Sequence, residues 1–123
     1  MEIVDANVVL RYLLKDHKTF YPKSRQIIEQ KEIYIPAEVA AEIVYVLEKV
    51  YEVPRDKISN ALTELFSYPN ITSSDTPALR ESLVVYKKNK IDFVDAILVS
   101  YHHINGHIIH SFDKQIRKLC SKD

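Results

Sequence analysis

The chain has 123 residues, of which 46% are hydrophobic and 28% are charged. This length and composition fit one globular domain with a single core and argue against disorder. Lysine plus arginine and aspartate plus glutamate both number 17. A protein that bound nucleic acid by charge alone would be more basic. Cys120 is the one cysteine, which excludes a disulfide framework and predicts a reducing, cytoplasmic environment. No signal peptide or long apolar run is recognisable, so no membrane association is predicted.

Short apolar runs alternate with helical patterns along the chain. The predicted strands are about 2–5, 33–35, 70–72 and 107–111, and the predicted helices are about 7–14, 22–30, 37–51, 58–66, 77–88, 92–104 and 114–119. Thr76 before Pro77 is typical of an N-cap, and Gly106 suits a left-handed C-cap. Strands that alternate with helices imply parallel strands with helices on both faces. The predicted fold is a three-layer α/β/α sandwich around a central parallel sheet of four to five strands, formed by residues 1–123 as a single domain.

Four acids stand out by their positions in these elements. Asp5 ends the first strand and Asp113 follows the last one, and ligands of an open α/β sheet bind outside the carboxyl ends of its strands. Glu42 lies at the edge of the apolar stripe of its helix, and Asp95 lies in the first turn of the helix at Asp92. Carboxylates that share one crevice repel each other unless a cation joins them. Oxygen ligands of this kind suit Mg²⁺ or Mn²⁺.

Each acid also has a purely structural interpretation. Asp5 and Asp113 could cap the helices that follow them. Glu42 could be a solvated or ion-paired residue beside an apolar stripe. Asp92 and Asp95 fit an N-cap and a first-turn acid that the helix dipole stabilises. The functional interpretation therefore depends on the four acids as a set.

The set resembles the motifs of the PIN-domain ribonucleases, and within them the VapC-like toxins of type II toxin–antitoxin pairs. Asp5-Ala6-Asn7-Val8-Val9-Leu10-Arg11 is similar to the opening acid motif of the family, and Ala41-Glu42-Ile43-Val44-Tyr45-Val46-Leu47 to its helix glutamate. Phe93-Val94-Asp95-Ala96-Ile97-Leu98-Val99 is similar to its third acid motif, and Ser111-Phe112-Asp113 to its closing Thr/Ser-x-Asp. Ala6 departs from the commoner Thr or Ser and Ser111 from the commoner Thr, but neither change removes a carboxylate.

The resemblance implies a PIN-like fold and Mg²⁺- or Mn²⁺-dependent endoribonuclease activity. It implies a catalytic cluster of Asp5, Glu42, Asp95 and Asp113. Of these, Asp5, Asp95 and Asp113 would bind the metal, and the supporting residues would be Asn7, Asp92 and Ser111. A metal-activated water would then hydrolyse the RNA phosphodiester and leave a 5′-phosphate and a 3′-hydroxyl. The first strand is expected at the centre of both the sheet and the acid cluster.

The resemblance also implies partners: an RNA substrate, a small cognate antitoxin and a second copy of the chain in a homodimer. Basic residues near the acids are candidates for holding the RNA backbone, although charge runs are usually solvated faces. These candidates are Arg11, Lys87, Lys88, Lys90, Lys114 and Arg117. Four histidines, His102, His103, His107 and His110, have metal-like spacings, but they divide between a predicted helix and a predicted strand, which favours stacking or exposure over a zinc site.

Two other functions remain open from the sequence. A receiver or phosphatase-like phosphoacceptor domain also places an aspartate after its first strand. The receiver, however, needs a second acid beside it, and the phosphatase-like family needs Asp-x-Asp where this chain has Asp5-Ala6-Asn7. The second alternative is a PIN-like module that binds RNA or a partner without cleaving it, and the four intact acids argue against that function.

Overall fold

The computed structural model describes residues 1–121 of the chain. The elements in order are β1 (Glu2–Ile3), α1 (Ala6–Leu14), α2 (Phe20–Gln30), β2 (Ile33–Tyr34), α3 (Ala37–Lys49), α4 (Arg55–Leu65), β3 (Ile71–Thr72), α5 (Thr76–Lys88), α6 (Phe93–Asn105) and α7 (Lys114–Cys120). None of the helices in this part of the chain combines the length and the apolar character needed to cross a bilayer. The chain divides into two compact units, Met1–Ser74 and Asp75–Asp123.

The first unit contains a parallel sheet with the strand order β1-β2-β3. Glu2 pairs with Ile33 in the first ladder, and Ile33 pairs with Ile71 in the second. Ile33 is fully buried, so the middle strand lies in the core. The predicted α/β class with parallel strands is therefore confirmed. The predicted central position of β1 is wrong, because within residues 1–121 β1 forms an edge of the sheet and its Ile3 is 66% exposed.

The sheet has three strands within the described residues, and not the predicted four to five. The missing strand is the predicted one at 107–111, which has no strand conformation. Its first residue, His107, is hydrogen-bonded to residues of α6. The His107 N–H donates to the Tyr101 carbonyl at 3.3 Å, and the His107 carbonyl lies 2.9 Å from His102 Nδ1. These contacts occupy backbone groups that a ladder would need, and Ile108 is left 81% exposed.

A polar network inside the first unit connects α1 and α2 with the turn before β3. The buried Tyr12 hydroxyl donates to Glu29 at 2.8 Å and lies 3.1 Å from the Tyr68 hydroxyl. Burial, followed by the hydrogen bonds with Tyr68 and Glu29, raises the pKa of Tyr12 far above its ordinary value. The phenol therefore stays protonated and satisfies polar atoms that burial would otherwise leave without a partner.

The second unit consists of α5, α6 and α7. Tyr86 and Phe93 meet edge to face with their ring centres 5.7 Å apart, and the buried Ser82 and Ser100 hydroxyls lie 2.9 Å apart. Helix α5 begins one residue earlier than predicted, because Asp75 is its N-cap. The Asp75 carboxylate accepts from the Ala78 N–H at 3.0 Å, a role that the sequence suggested for Thr76.

The predicted end of α6 is confirmed. Gly106 has a φ of 72°, and its N–H donates to the His102 carbonyl at 3.0 Å. A glycine adopts this left-handed conformation without the steric cost that a Cβ would add.

Candidate functional site

Asp5 lies two residues beyond β1 and is the N-cap of α1. Its Oδ1 accepts from the Val8 N–H at 3.1 Å, which satisfies one of the unpaired donors at the helix start. The side chain is exposed to solvent. The capping interpretation of Asp5 is therefore confirmed, while the second carboxylate oxygen is not used by this bond.

Glu42 and Asn7 are the other predicted site residues of the first unit. Glu42 lies on α3, whose buried face is formed by Ala40, Ile43, Val44 and Leu47. Glu42 itself is exposed. Asn7 occupies the first turn of α1 and is exposed as well. Both residues are accessible from solvent, and their predicted roles in catalysis stay predictions.

Asp113 is the N-cap of α7 and is held more firmly than Asp5. Its Oδ1 accepts from the N–H groups of Gln115 and Ile116, both at 2.9 Å. The Asp113 N–H donates to the Ser111 hydroxyl at 3.0 Å. Ser111 therefore supports Asp113 through the backbone. The carboxylate is exposed and is fixed in orientation by two bonds to one of its oxygens.

Asp92 and Asp95 lie at the start of α6, three residues apart. Asp92 is at the N-cap position as predicted, but its side chain makes no capping hydrogen bond. Asp95 follows in the first turn and is half-buried. Burial raises the pKa of the Asp95 carboxyl, and the negative charges of Asp92 and then Asp113 raise it further. The negative charges of Asp92 and Asp113 thus act on Asp95 within the second unit.

The metal-ligand geometry is not formed by the side chains as they stand. Within residues 1–121, no three histidine, cysteine, aspartate or glutamate side chains lie close enough together to hold a metal ion. This includes the histidines. His103 Nδ1 lies 2.7 Å from Glu81 on α5, and its Nε2 lies 3.1 Å from the Leu119 carbonyl on α7. His103 therefore links three helices, a role that its sequence position did not indicate.

The predicted RNA-binding cations differ in accessibility. The Arg11 guanidinium is bound within the first unit, at 3.0 Å from both Asp16 and the Tyr51 hydroxyl, and its side chain is only 14% exposed. These contacts raise the pKa of Arg11, with the Tyr51 hydrogen bond as the largest cause. Lys87, Lys88, Lys90, Lys114 and Arg117 are all exposed. The structure thus gives Arg11 an internal partner, whereas the cations of the second unit are accessible.

Sequence reasoning missed one prominent residue of this region. Phe112, between Ser111 and Asp113, is fully exposed. The Ser111-Phe112-Asp113 motif assigned roles only to Ser111 and Asp113. The signal that could have identified it is the apolar residue between two polar site residues, immediately before the basic sequence of α7.

Comparison with known proteins identifies one family and one relative. The model of the PIN domain family matches residues 3–122, which include all the predicted acids. A VapC ribonuclease of Aquifex aeolicus (strain VF5) is 24% identical over 129 residues, an alignment that covers 99% of this chain and 94% of that protein. No solved structure matches the chain significantly.

Proposed function

The chain belongs to the PIN domain family, and from that premise we propose that it is a metal-dependent endoribonuclease, the toxin of a toxin–antitoxin pair. The similarity to a VapC ribonuclease over nearly the full length of both proteins supports the activity and the biological role. The proposed catalytic acids are Asp5, Glu42, Asp95 and Asp113, with Asn7, Asp92 and Ser111 in support.

The observation that carries the proposal is the raised pKa of the half-buried Asp95 carboxyl. A carboxyl whose pKa is raised by burial and by two neighbouring carboxylates is poorly compensated in the protein alone. Structural acids are normally paired or solvated, and perturbed acids cluster at functional sites. A divalent cation is the ligand that would relieve the repulsion that Asp92 and Asp113 exert on Asp95.

The donor chemistry fits Mg²⁺ or Mn²⁺, because carboxylate oxygens are the ligands that these ions prefer. Asp5, Asp95 and Asp113 would hold the ion. When bound, it would supply an activated water and screen the charge that develops on the cleaved phosphate. No histidine or thiolate belongs to the proposed set, which argues against a zinc centre.

The residues of the chain contribute orientation. The two capping bonds of Asp113 hold one of its carboxylate oxygens against the start of α7. Ser111 keeps the backbone of Asp113 in place from the other side. A preorganised carboxylate needs less rearrangement when a cation or substrate binds.

The partners belong to the same proposal. RNA is the substrate, and Lys87, Lys88, Lys90, Lys114 and Arg117 are exposed cations that suit its phosphates. Arg11 is the weakest of the predicted contacts because Asp16 and Tyr51 already bind it. A small antitoxin and a homodimer complete the expected assembly, in a cytoplasmic setting.

The test is cleavage of a single-stranded RNA by the purified chain, with Mg²⁺, Mn²⁺ or EDTA. We expect cleavage that requires the metal, and loss of more than about 100-fold in Asp95→Asn, equivalent to about 3 kcal/mol of transition-state stabilisation. The matched control is Asp56→Asn, which changes an exposed first-turn acid of α4 in the other unit. Wild-type turnover in Asp95→Asn would refute the assignment. Binding of RNA without cleavage would instead favour the non-catalytic module, and transfer of a phosphoryl group to Asp5 would favour the phosphoacceptor.

A further inference from the structure

Phe112 is the residue of the second unit whose exposure is hardest to reconcile with a purely structural role. Its side chain is 100% exposed, so the ring contributes nothing to the core. Exposed single apolar residues are common on protein surfaces. Phe112, however, lies directly between Ser111 and Asp113, in the segment that the proposed function makes part of the site.

The backbone around Phe112 is ordered by its neighbours. The Asp113 N–H donates to the Ser111 hydroxyl across Phe112, which closes a short turn. The Asp113 carboxylate then fixes the next residues by capping α7. The ring is therefore presented to solvent by a turn that is held on both sides, as an aromatic binding residue requires.

The surface that follows Phe112 is strongly basic. Lys114, Arg117 and Lys118 on α7 are exposed. Lys114 and Lys118, together with Asn89, line a depression of about 310 Å³. A second depression of about 430 Å³ is lined by Lys114, Arg117, Lys118 and Ser121. Lys114 and Lys118 thus line both depressions.

An exposed aromatic two residues before Lys114, the first of the cations that line these depressions, matches the chemistry of single-stranded nucleic acid. The phosphates need positive charge, and the bases stack on aromatic faces without regard to their identity. The centres of protein–protein interfaces are, by contrast, depleted in lysine. Charge complementarity therefore favours a polyanionic chain as the occupant of this surface.

We propose that Phe112 is a base-stacking residue, and that single-stranded RNA runs along α7 with its backbone on Lys114 and Lys118. The inference rests on the proposed function for its choice of RNA and for the meaning of Asp113. It adds a residue that would seat a base next to the phosphate to be cleaved. Because stacking is a binding property, it can be tested without any cleavage.

The test is the affinity of the full chain for a labelled single-stranded oligoribonucleotide, measured by fluorescence anisotropy in EDTA. Phe112→Ala should weaken binding about tenfold, since one base–aromatic stack is lost. Phe112→Tyr keeps a ring and should remain within about twofold of the wild type. Ile108→Ala is the matched control, because Ile108 is a similarly exposed apolar residue of the same segment without a ring. It should bind like the wild type.

A base-stacking readout separates this role from general surface apolarity. An oligonucleotide that carries 2-aminopurine should lose emission on binding to the wild type and to Phe112→Tyr, but not to Phe112→Ala. Lys118→Ala should reduce the slope of log affinity against log salt by about 0.7, as expected for one lost phosphate contact on a single strand. Lys57→Ala, which changes an exposed lysine of α4, should leave that slope unchanged.

The outcomes distinguish this inference from the proposed function. If the wild type fails to cleave RNA but Phe112→Ala weakens RNA binding, the proposed function fails and the stacking role stands. If the wild type cleaves RNA and Phe112→Ala binds and cleaves as well, the stacking role fails alone. Equal losses in Phe112→Ala and Ile108→Ala would overturn it too. A Phe112→Ala variant with unchanged RNA affinity but lost self-association would assign the ring to a protein contact and overturn it.

Discussion

Asp5 and Asp113 begin helices in different compact units and perform the same structural task among different neighbours. Asp5 caps α1 with one hydrogen bond, and Asp113 caps α7 with two. Asp113 also contributes to the electrostatic field at Asp95, whose pKa it raises. A capping aspartate is thus sufficient to explain the fold at both helix starts. Asp113 thus combines the capping role with an electrostatic effect on a neighbouring carboxyl, and this effect is the one that the proposed function uses.

The largest effect is expected from variants of Asp5 and Asp113 that lose the negative charge but still cap their helices. Asn caps helices about as well as Asp, so Asp5→Asn and Asp113→Asn should stay folded. Under the proposed function, their RNA cleavage should fall more than about 100-fold, because each variant loses one of the carboxylate charges proposed to bind the metal ion. Initial cleavage rates and melting temperatures, measured on the same preparations, check this. Full activity in Asp113→Asn would mean that its only role is to cap α7.

Removing the caps should reveal their structural difference. Asp5→Ala should lower the free energy of unfolding by about 1 kcal/mol, and Asp113→Ala by up to about 2 kcal/mol because it loses two bonds. Urea denaturation followed by circular dichroism measures both values, and the two Asn variants serve as controls. A larger loss for Asp5→Ala than for Asp113→Ala would contradict the ranking that the hydrogen bonds give.

A smaller effect, on stability, is expected when Asp95→Asn removes the charge that Asp92 and Asp113 repel. Because the pKa of Asp95 is raised in the folded chain, its contribution to stability is present below its unfolded pKa and is lost as the pH rises through its folded pKa. At pH 7 Asp95→Asn should therefore be more stable than the wild type, by a few tenths of a kcal/mol, the size of a like-charge pair on a helix. Thermal unfolding between about pH 3 and pH 8 measures the difference, because this interval spans the ordinary pKa of an aspartate, roughly 4.

The wild type and Asp95→Asn also provide a control for the interpretation that charge repulsion acts on Asp95. The stability difference should shrink toward the acidic end of the pH range, where Asp95 is protonated in the wild type as well. Added Mg²⁺ should stabilise the wild type more than Asp95→Asn, because a ligand that binds the folded state alone raises its stability. A destabilised Asp95→Asn at pH 7 would show that Asp95 is a satisfied structural acid.

The smallest effect is expected at Arg11. Its guanidinium is held by Asp16 and Tyr51, so Arg11→Ala should change RNA affinity by less than about twofold, since charge-assisted bonds already engage it. Lys114→Ala in the second unit should weaken RNA binding more and reduce its salt dependence. Anisotropy titrations at several salt concentrations compare the two variants. A larger loss in Arg11→Ala would restore its predicted role as an RNA contact.

Much of the local structure could be predicted because its causes are local. The helix starts at Asp5 and Asp113 depend on side-chain hydrogen bonds to residues two or three positions further on, and the end of α6 depends on Gly106. The error at the start of α5, Thr76 in place of Asp75, chose between two adjacent residues that can both cap a helix. The motif resemblance also identified the family, and family membership confirms the predicted α/β/α fold class, although with three strands in the described residues.

What failed depends on contacts between residues far apart in sequence. The short segment 107–111 with its two isoleucines predicts a strand, but the pattern cannot show that the backbone of His107 is bound to α6. The order of the strands, with β1 at an edge, is equally invisible to a pattern read along the chain. Arg11 looked available because its partner Tyr51 lies 40 residues away.

The sequence by itself determined which residues carry charge and hydrogen-bonding groups, roughly where the helices lie, and which family the chain belongs to. The tertiary structure decided how those groups behave. It set the burial and charged neighbours that raise the pKa of Asp95, the internal partners of Arg11 and the full exposure of Phe112. The reason is physical: capping and helix formation involve neighbours within a turn, whereas burial and electrostatic environment are sums over all the elements packed around a residue.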